Sequence, residues 1–314
     1  ILLVCILFSF LIPDTSGAQE TELRTMLGQM VMVGFRGTEA GDTGVQHVLE
    51  DIRLGRVGGV ILFDYDVFLG LKGRNITSRE QVAKLIRVLR KEAAIPLFVA
   101  VDMEGGKVVR LKPSLGFPAF PSAEELGKGD PEATRRTARL MGDELRDLGF
   151  NINFAPVADV NVNPDNPVIG KLGRSFSSDP EQVALQAGAF ALGLRQAGIL
   201  PSLKHFPGHG SAWNDSHYGM ADVSSTWTRE EPIPFARLAS TSGQVMVMTG
   251  HLFNAHLDPE HPATLSAPTV TGILRGELGF DGVVVSDDMQ MKAVTDMYGL
   301  EQAVYLAVVA GVDI

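Results

Sequence analysis

The chain has 314 residues, of which 45% are hydrophobic and 20% charged, and it carries a formal net charge of -10 at neutral pH. That composition supports a large buried core and excludes the disordered and fibrous classes. The acidic balance excludes nucleic acid and anionic lipid as main partners, because phosphate binding is driven by Lys and Arg, and it leaves a neutral or locally steered ligand.

In chain order the first feature is an apolar run over residues 1–12, followed by Pro13-Asp14-Thr15-Ser16-Gly17-Ala18. It matches the hydrophobic region and small-residue cleavage site of a secretory signal, with cutting expected after Ala18, and it is too short for a comfortable membrane span. With no initiator Met and no basic leader, residues 1–18 read as an incomplete signal peptide. The expectation is export to a bacterial periplasm or the extracellular space, with no stable membrane insertion of the mature chain. Cys5, the single cysteine, lies inside the run instead of just after it, the wrong place for a lipidated anchor. The mature chain then has neither disulfides nor thiol chemistry.

From Thr21 onward short apolar runs alternate with amphipathic stretches, the pattern of β-α units around a parallel sheet. Strands are expected at 29–35, 57–63, 97–101, 152–157, 199–204, 245–249, 282–286 and 310–314. That is as many as a (β/α)8 TIM-type barrel needs, about eight. Helices are expected at 78–93, 131–148, 179–197 and 291–309, with Ser78 and Gln81 forming a capping box and Pro180 in the first helical position. No linker-like tract divides residues 21–314, so they read as a single α/β barrel domain. The last expected strand has no helix after it, which reads as a barrel truncated after its last strand.

Polar residues gather where these strands end, the side of a parallel barrel on which ligands bind. Asp102-Met103-Glu104-Gly105-Gly106 follows the third run, with Arg110 beyond it. Acidic groups just past a buried strand are costly unless solvated or used, although a helix-capping Asp has the same look. The fourth run leads to Asp159 and then to Gly173-Arg174-Ser175-Phe176; Asp159 reads as structural, and Arg174 as a ligand contact or a surface cation. The fifth ends in Lys204-His205-Phe206-Pro207-Gly208-His209-Gly210, and a short spacer leads to Asp215-Ser216-His217. Pro207, Gly208 and Gly210 force an irregular loop that brings Asp215 and His217 over the strand ends. The seventh closes in Ser286-Asp287-Asp288-Met289, where alternation directs one carboxylate to the barrel mouth and leaves the other to brace the next helix.

In this order these motifs strongly resemble glycoside hydrolase family 3, and within it the bacterial β-N-acetylglucosaminidase (β-N-acetylhexosaminidase) branch, from about Thr21 to Ile314. The 204–217 segment is the most specific part, because the related β-glucosidases share the Lys-His pair and generally lack the Asp-x-His loop. The resemblance implies Asp287 as nucleophile and His217 as general acid/base, held by Asp215. It also implies Asp102, Arg110, Arg174, Lys204 and His205 as groups that bind the hydroxyls of the terminal sugar.

The chemistry of these roles holds on its own terms. A retaining glycosidase needs an ionised group to attack the anomeric carbon and a proton donor for the leaving oxygen. An Asp is ionised at neutral pH, and an imidazole titrates where it first donates and then removes a proton. The expected function is a retaining exo-β-N-acetylglucosaminidase acting on terminal N-acetyl-β-glucosaminides of cell-wall or chitin-type glycans. The alternatives are a family 3 β-glucosidase, a β-N-acetylglucosaminide phosphorylase, or a catalytically dead carbohydrate-binding barrel. His205, His209 and His217 prompt a zinc site, but their spacing fits no common pattern and no cysteine contributes; neither metal nor cofactor is expected. Asn75-Ile76-Thr77 fits a glycosylation sequon that arises often by chance, Met246, Met248, Met289 and Met291 read as packing, and His251 as a structural hydrogen-bonding group.

Overall fold

The computed structural model describes residues 15–215, 219–240 and 244–314, with 15–19 as backbone only. Most of the expected leader lies outside the described residues, and Thr15 begins the first helix, α1 (Thr15–Gln29). Among the described residues no helix is long and apolar enough to cross a membrane.

Seven parallel strands form one sheet whose spatial order is the chain order: β1 (Met32–Gly34), β2 (Gly59–Ile61), β3 (Phe98–Val101), β4 (Ile152–Asn153), β5 (Leu200–Phe206), β6 (Met246–Thr249) and β7 (Val284–Ser286). The pairs Val33–Val60, Val60–Val99, Ala100–Ile152, Ile152–Leu200, Ser202–Met246 and Val247–Val284 set the register. Helices α2 (Thr43–Arg53), α3 (Arg79–Glu92), α4 (Ala123–Gly127), α5 (Pro131–Leu148), α6 (Pro180–Gln196) and α7 (Ile233–Ala239) run between the strands. A wide, π-type helical segment, Pro268–Glu277, precedes β7, and α8 (Lys292–Tyr298) and α9 (Leu300–Ala310) follow it.

Period-two alternation splits the strand residues between two cores. Val99, Val101, Leu203, Val247 and Val284 pack outward with the apolar stripes of the helices, such as Leu85 and Leu89 of α3 and Phe190 and Leu194 of α6. Phe98, Ala100, Ile152, Met246, Met248 and Val285 face the other way, into an apolar cluster that reaches Met32 and Ile61 on one side and Ile314 on the other. The sheet curls around this cluster as a half-barrel.

A closed eight-stranded barrel was the expectation, and the structure differs at the last run. Ala310 is the final residue of α9, and Gly311 stops that helix in the left-handed region at φ 107°, which only glycine adopts freely. Three residues remain, and they lie along β7 without forming a strand: the Asp313 and Ile314 amides donate to the Val284 carbonyl at 2.8 and 3.2 Å, and the Ser286 amide to the Ile314 carbonyl at 2.8 Å. The expected 291–309 helix is likewise broken in two at Gly299, with φ 69° and ψ 156°. The fourth strand is shorter than expected because Pro156 has no amide to offer a ladder, although Ala158 N still donates to the Lys204 carbonyl at 2.7 Å. At Ser78 only half of the expected capping box forms: its Oγ accepts from Gln81 N, while the Gln81 side chain accepts from Thr77 N at 2.9 Å instead of bonding Ser78. The complete box is at Ser122 and Glu125, at the start of α4.

The loop after β5 is pinned from below. Asn163 N and Asn166 Nδ2 both donate to the Gly210 carbonyl, at 3.1 and 3.3 Å, and a Cβ on Gly210 would lie 1.6 Å from the Val160 carbonyl oxygen. Gly210→Ala is therefore expected to lower the urea-measured unfolding free energy by about 1–3 kcal/mol, the range for forcing atoms into packed space. Gly41→Ala, where a Cβ meets nothing within 4 Å, is expected to leave it unchanged within about 0.5 kcal/mol.

Candidate active site

Two side chains on the rim of β3 and two from β5 begin the site. Asp102 and Glu104 are two residues apart just past β3, so their side chains leave the chain on the same side. Lys204, 3% exposed, sits between them: its Nζ lies 2.8 Å from Asp102 Oδ1 and 2.7 Å from Glu104 Oε1. Arg174, reaching in from the loop after β4, closes on Glu104 with a two-pronged contact, both N–H···O distances being 2.8 Å, and also donates to the Val168 carbonyl. Arg110 Nη2 stands 3.5 Å from Asp102 Oδ2, and its guanidinium lies over the Phe63 ring.

Burial works against the charges of Asp102, Glu104, Arg174 and Lys204, and their partners outweigh it. Arg174 and Lys204 hold the Glu104 carboxyl down to about 2. Lys204 and Arg110 keep Asp102 below the usual carboxylate range, and Asp102 and Glu104 in turn raise the Lys204 ammonium. Arg174 is raised as well, chiefly by Glu104. The cluster is therefore fully ionised at neutral pH, an array of fixed donors and acceptors suited to sugar hydroxyls.

His205 is set by a different partner. Its Nδ1 is 2.7 Å from Asp159 Oδ2, and Asp159 Oδ1 accepts from the backbone amides of His205 and His209 at 3.0 and 2.7 Å. Asp159 is fully buried; burial opposes its charge, but His205 and the donated hydrogen bonds keep it below its ordinary value. An ionised carboxylate only accepts, so Nδ1 carries the proton and Nε2, 3.5 Å from Arg174 Nη2, is left on the site side. Burial and the neighbouring His205 push the His209 imidazole down to about 4, so it is neutral at pH 7.

The five expected sugar-binding residues, Asp102, Arg110, Arg174, Lys204 and His205, thus form one contiguous cluster. Glu104 and Asp159 were left out of that set, and each is a central partner in it. The signal for Glu104 was present as the two-residue spacing from Asp102. Asp159 gave no such signal, because only the fold brings it against His205.

Asp287 stands at the end of β7, two strands from β5. Its amide donates to the Thr249 carbonyl at 3.0 Å, and its Oδ1 accepts from the Asp288 amide at 2.8 Å. Asp288 Oδ1 accepts from Gln290 N at 2.8 Å, which braces the turn into α8. Asp215 is half-buried at the end of the loop after β5. His217 lies outside the described residues. Among the described residues no group of three or more His, Cys, Asp and Glu side chains is placed to hold a metal ion.

Beneath the loop that leads to Asp215 lies Glu231, fully buried. The Ser211 amide donates to its Oε2 at 3.2 Å, and Trp227 Nε1 holds the Pro207 carbonyl at 3.1 Å. Burial pushes the Glu231 carboxyl up to about 8, aided by the charge of Asp159 and opposed by hydrogen bonds from Ser211 and Thr228.

The glycosyl hydrolase family 3 N-terminal domain matches residues 22–314. The β-hexosaminidase LpqI of Mycobacterium tuberculosis is 39% identical over 302 residues, 93% of this chain and 72% of its own length. Among solved structures, a glycoside hydrolase family 3 β-N-acetylglucosaminidase from Paenibacillus sp. superimposes with a TM-score of 0.83 at 40% identity, and this chain spans 54% of its length. A β-N-acetylhexosaminidase from Beutenbergia cavernae gives 0.82 at 33% identity, with 86% of its length covered.

The raised carboxyl of Glu231 has a definite linkage sign. The folded state holds that proton up to about pH 8 while the unfolded chain releases it near 4.5, so its stability contribution is complete below 4.5 and is lost as pH rises toward 8. Urea titrations of wild type and Glu231→Gln should converge near pH 4.5. They should diverge by a few kcal/mol near pH 8, with the Gln variant the more stable. Parallel curves across that interval would show that Glu231 is ionised in the fold.

Proposed function

This chain belongs to glycoside hydrolase family 3 and is a glycoside hydrolase, and from that premise we propose that it is a retaining exo-β-N-acetylglucosaminidase of terminal N-acetyl-β-glucosaminides. The observation that carries this reading is the ionised cluster of Asp102, Glu104, Lys204 and Arg174, with His205 beside it, at the ends of β3 and β5, on the same rim as Asp287. Such a cluster grips the hydroxyls of one terminal sugar, which accounts for exo action. The names of the relatives support N-acetylhexosamine as that sugar.

In the proposed reaction an Asp287 carboxylate oxygen bonds to the anomeric carbon as the bond to the leaving oxygen breaks, and His217 delivers its proton to that oxygen. Water then attacks the glycosyl ester, His217 takes the water proton, and Asp287 leaves as carboxylate. Two inversions give net retention. Asp215 holds the imidazole, the part a buried carboxylate plays for histidine in other hydrolases. In this reading the 312–314 segment extends along β7 as the eighth strand of a closed barrel. Cell-wall or chitin-type glycans are the proposed substrates, and the apolar leader supports export.

Asp287→Ala is expected to abolish turnover of an aryl N-acetyl-β-glucosaminide with little loss of stability, since removing one capping contact costs about 1 kcal/mol. Retention of more than about a tenth of wild-type kcat/KM would overturn the nucleophile. Running the wild type with and without inorganic phosphate identifies the product as free sugar or sugar phosphate, and a sugar phosphate would replace hydrolysis by phosphorolysis.

A second expected outcome concerns the proton. His217→Ala should slow substrates with poor leaving groups far more than activated aryl glycosides, and on the latter it should show a burst followed by a slow steady state. Equal losses on both substrate types, with no burst, would move the acid/base role to another residue.

A further inference from the structure

His251 lies two residues past β6 and is completely buried. Its Nε2 is 3.0 Å from the Asp288 carbonyl oxygen, and its Nδ1 is 2.9 Å from Thr264 Oγ1. A carbonyl oxygen only accepts, so Nε2 carries a proton and donates it there. The Thr264 hydroxyl, itself buried, lies between the imidazole and the Gly250 carbonyl, 3.1 Å from the latter.

The same stretch of β6 holds the neighbouring peptide. The Asp287 amide donates to the Thr249 carbonyl at 3.0 Å. Asp287 is therefore gripped on its N-terminal side by Thr249 and, one residue on, at the Asp288 carbonyl by His251. Between those two points lie the backbone torsions that aim the Asp287 carboxylate. Asp288 Oδ1 and the Asp288 carbonyl also take the amides of Gln290 and Met291, at 2.8 and 3.0 Å, so the segment turns sharply into α8 around this clamp.

We propose that His251 is a positioning residue for the nucleophile: its Nε2–H fixes the Asp288 carbonyl and thereby the direction of Asp287, and Thr264 fixes the imidazole in turn. The inference rests on the reading of Asp287 as nucleophile. A group acting this way governs the approach of carboxylate to anomeric carbon, where misplacement by about 1 Å costs about a hundredfold. It leaves ground-state sugar binding alone. Its removal lowers kcat and spares KM.

The test uses the full chain with an activated aryl N-acetyl-β-glucosaminide, together with N-acetylglucosamine binding by calorimetry. His251→Phe keeps a ring and removes both nitrogens; His251→Gln places an amide N–H where Nε2 was; Thr264→Val keeps the shape and removes the hydroxyl. The expected result is a fall in kcat of about thirty- to a hundredfold for the Phe variant, recovery of at least about tenfold of that loss by Gln, and an intermediate fall for Thr264→Val. KM and sugar affinity should stay within about twofold of wild type throughout. If the Phe variant does not fold, the Gln and Val variants carry the test by the same split between kcat and KM. A Gln variant no better than Phe, losses shared equally between kcat and sugar affinity, or wild-type kcat in Thr264→Val would each overturn the proposal. Asp287→Asn in the same assay separates the two readings: if it is inactive while the His251 variants match wild type, only this inference fails, and if it is active, the nucleophile assignment fails and this inference with it.

Discussion

The Lys204 ammonium, buried between Asp102 and Glu104, is the contact on which the rest of the site depends. Two carboxylates out of water next to one another repel strongly, and a buried ion pair broken on one side typically costs about 3–5 kcal/mol. Lys204 cancels most of that repulsion at 2.8 and 2.7 Å, and Arg174 completes the neutralisation of Glu104. Each charge is tolerated only because the others are in place, so the cluster behaves as one unit. Its arrangement is set before any sugar arrives, which spares the ligand the work of ordering it.

Such a unit needs a rigid frame, and the parallel sheet supplies it. Lys204 and His205 lie within β5 itself, where the ladder to β6 on one side and the 155–158 run on the other fixes the backbone. Asp102 and Glu104 come just after β3, and Arg174 is carried by a loop whose own carbonyls and amides are tied down, as at Asn161 N to Ser177 O and Arg174 N to Ile169 O. The apolar cluster inside the half-barrel keeps these strand ends at constant separation. The loop that leads to Asp215 is built differently. It leaves β5 through Pro207 and Gly208 and is held from below by Trp227 and Glu231, a hydrogen-bonded strap in place of a ladder. On the proposed mechanism, the fixed cluster would hold the sugar while this separately held loop leads to the residues assigned to the proton steps.

Much of this was legible because parallel strands announce themselves. The runs ending in Ala100-Val101, Lys204-His205 and Val285-Ser286 are apolar stretches that stop in charge, and such an ending is costly in a fold unless the charges face a mouth. The family motifs then fixed the roles expected of them. Less legible were contacts that no local pattern encodes. Asp159 meets His205 across 46 positions of sequence, and nothing in Ala158-Asp159-Val160 distinguishes it from a strand-end carboxylate. Glu104 could have been recovered from its spacing to Asp102. The 310–314 run misled because Ala310 and Val312 look equally apt for helix and strand, and the choice was made by α9, which continues its hydrogen bonds until a glycine releases it.

His205 and His251 show how one residue type serves opposite ends of the site. Each is buried, and each has its ring set by a partner at a fixed distance, 2.7 Å to Asp159 in the first case and 2.9 Å to Thr264 in the second. The partner chemistry decides what the other nitrogen does. A carboxylate at Nδ1 forces a proton there and turns the Nε2 of His205 toward Arg174. At His251 the Asp288 carbonyl demands the proton on Nε2, so that ring faces inward to backbone. The same side chain thus turns Nε2 toward the Arg174–Glu104 cluster on β5 and toward a backbone carbonyl beyond β6, and only the identity of the atom opposite each nitrogen distinguishes the two. In a fold of this kind, the partner of a buried histidine is therefore a better guide to its role than its place in a motif.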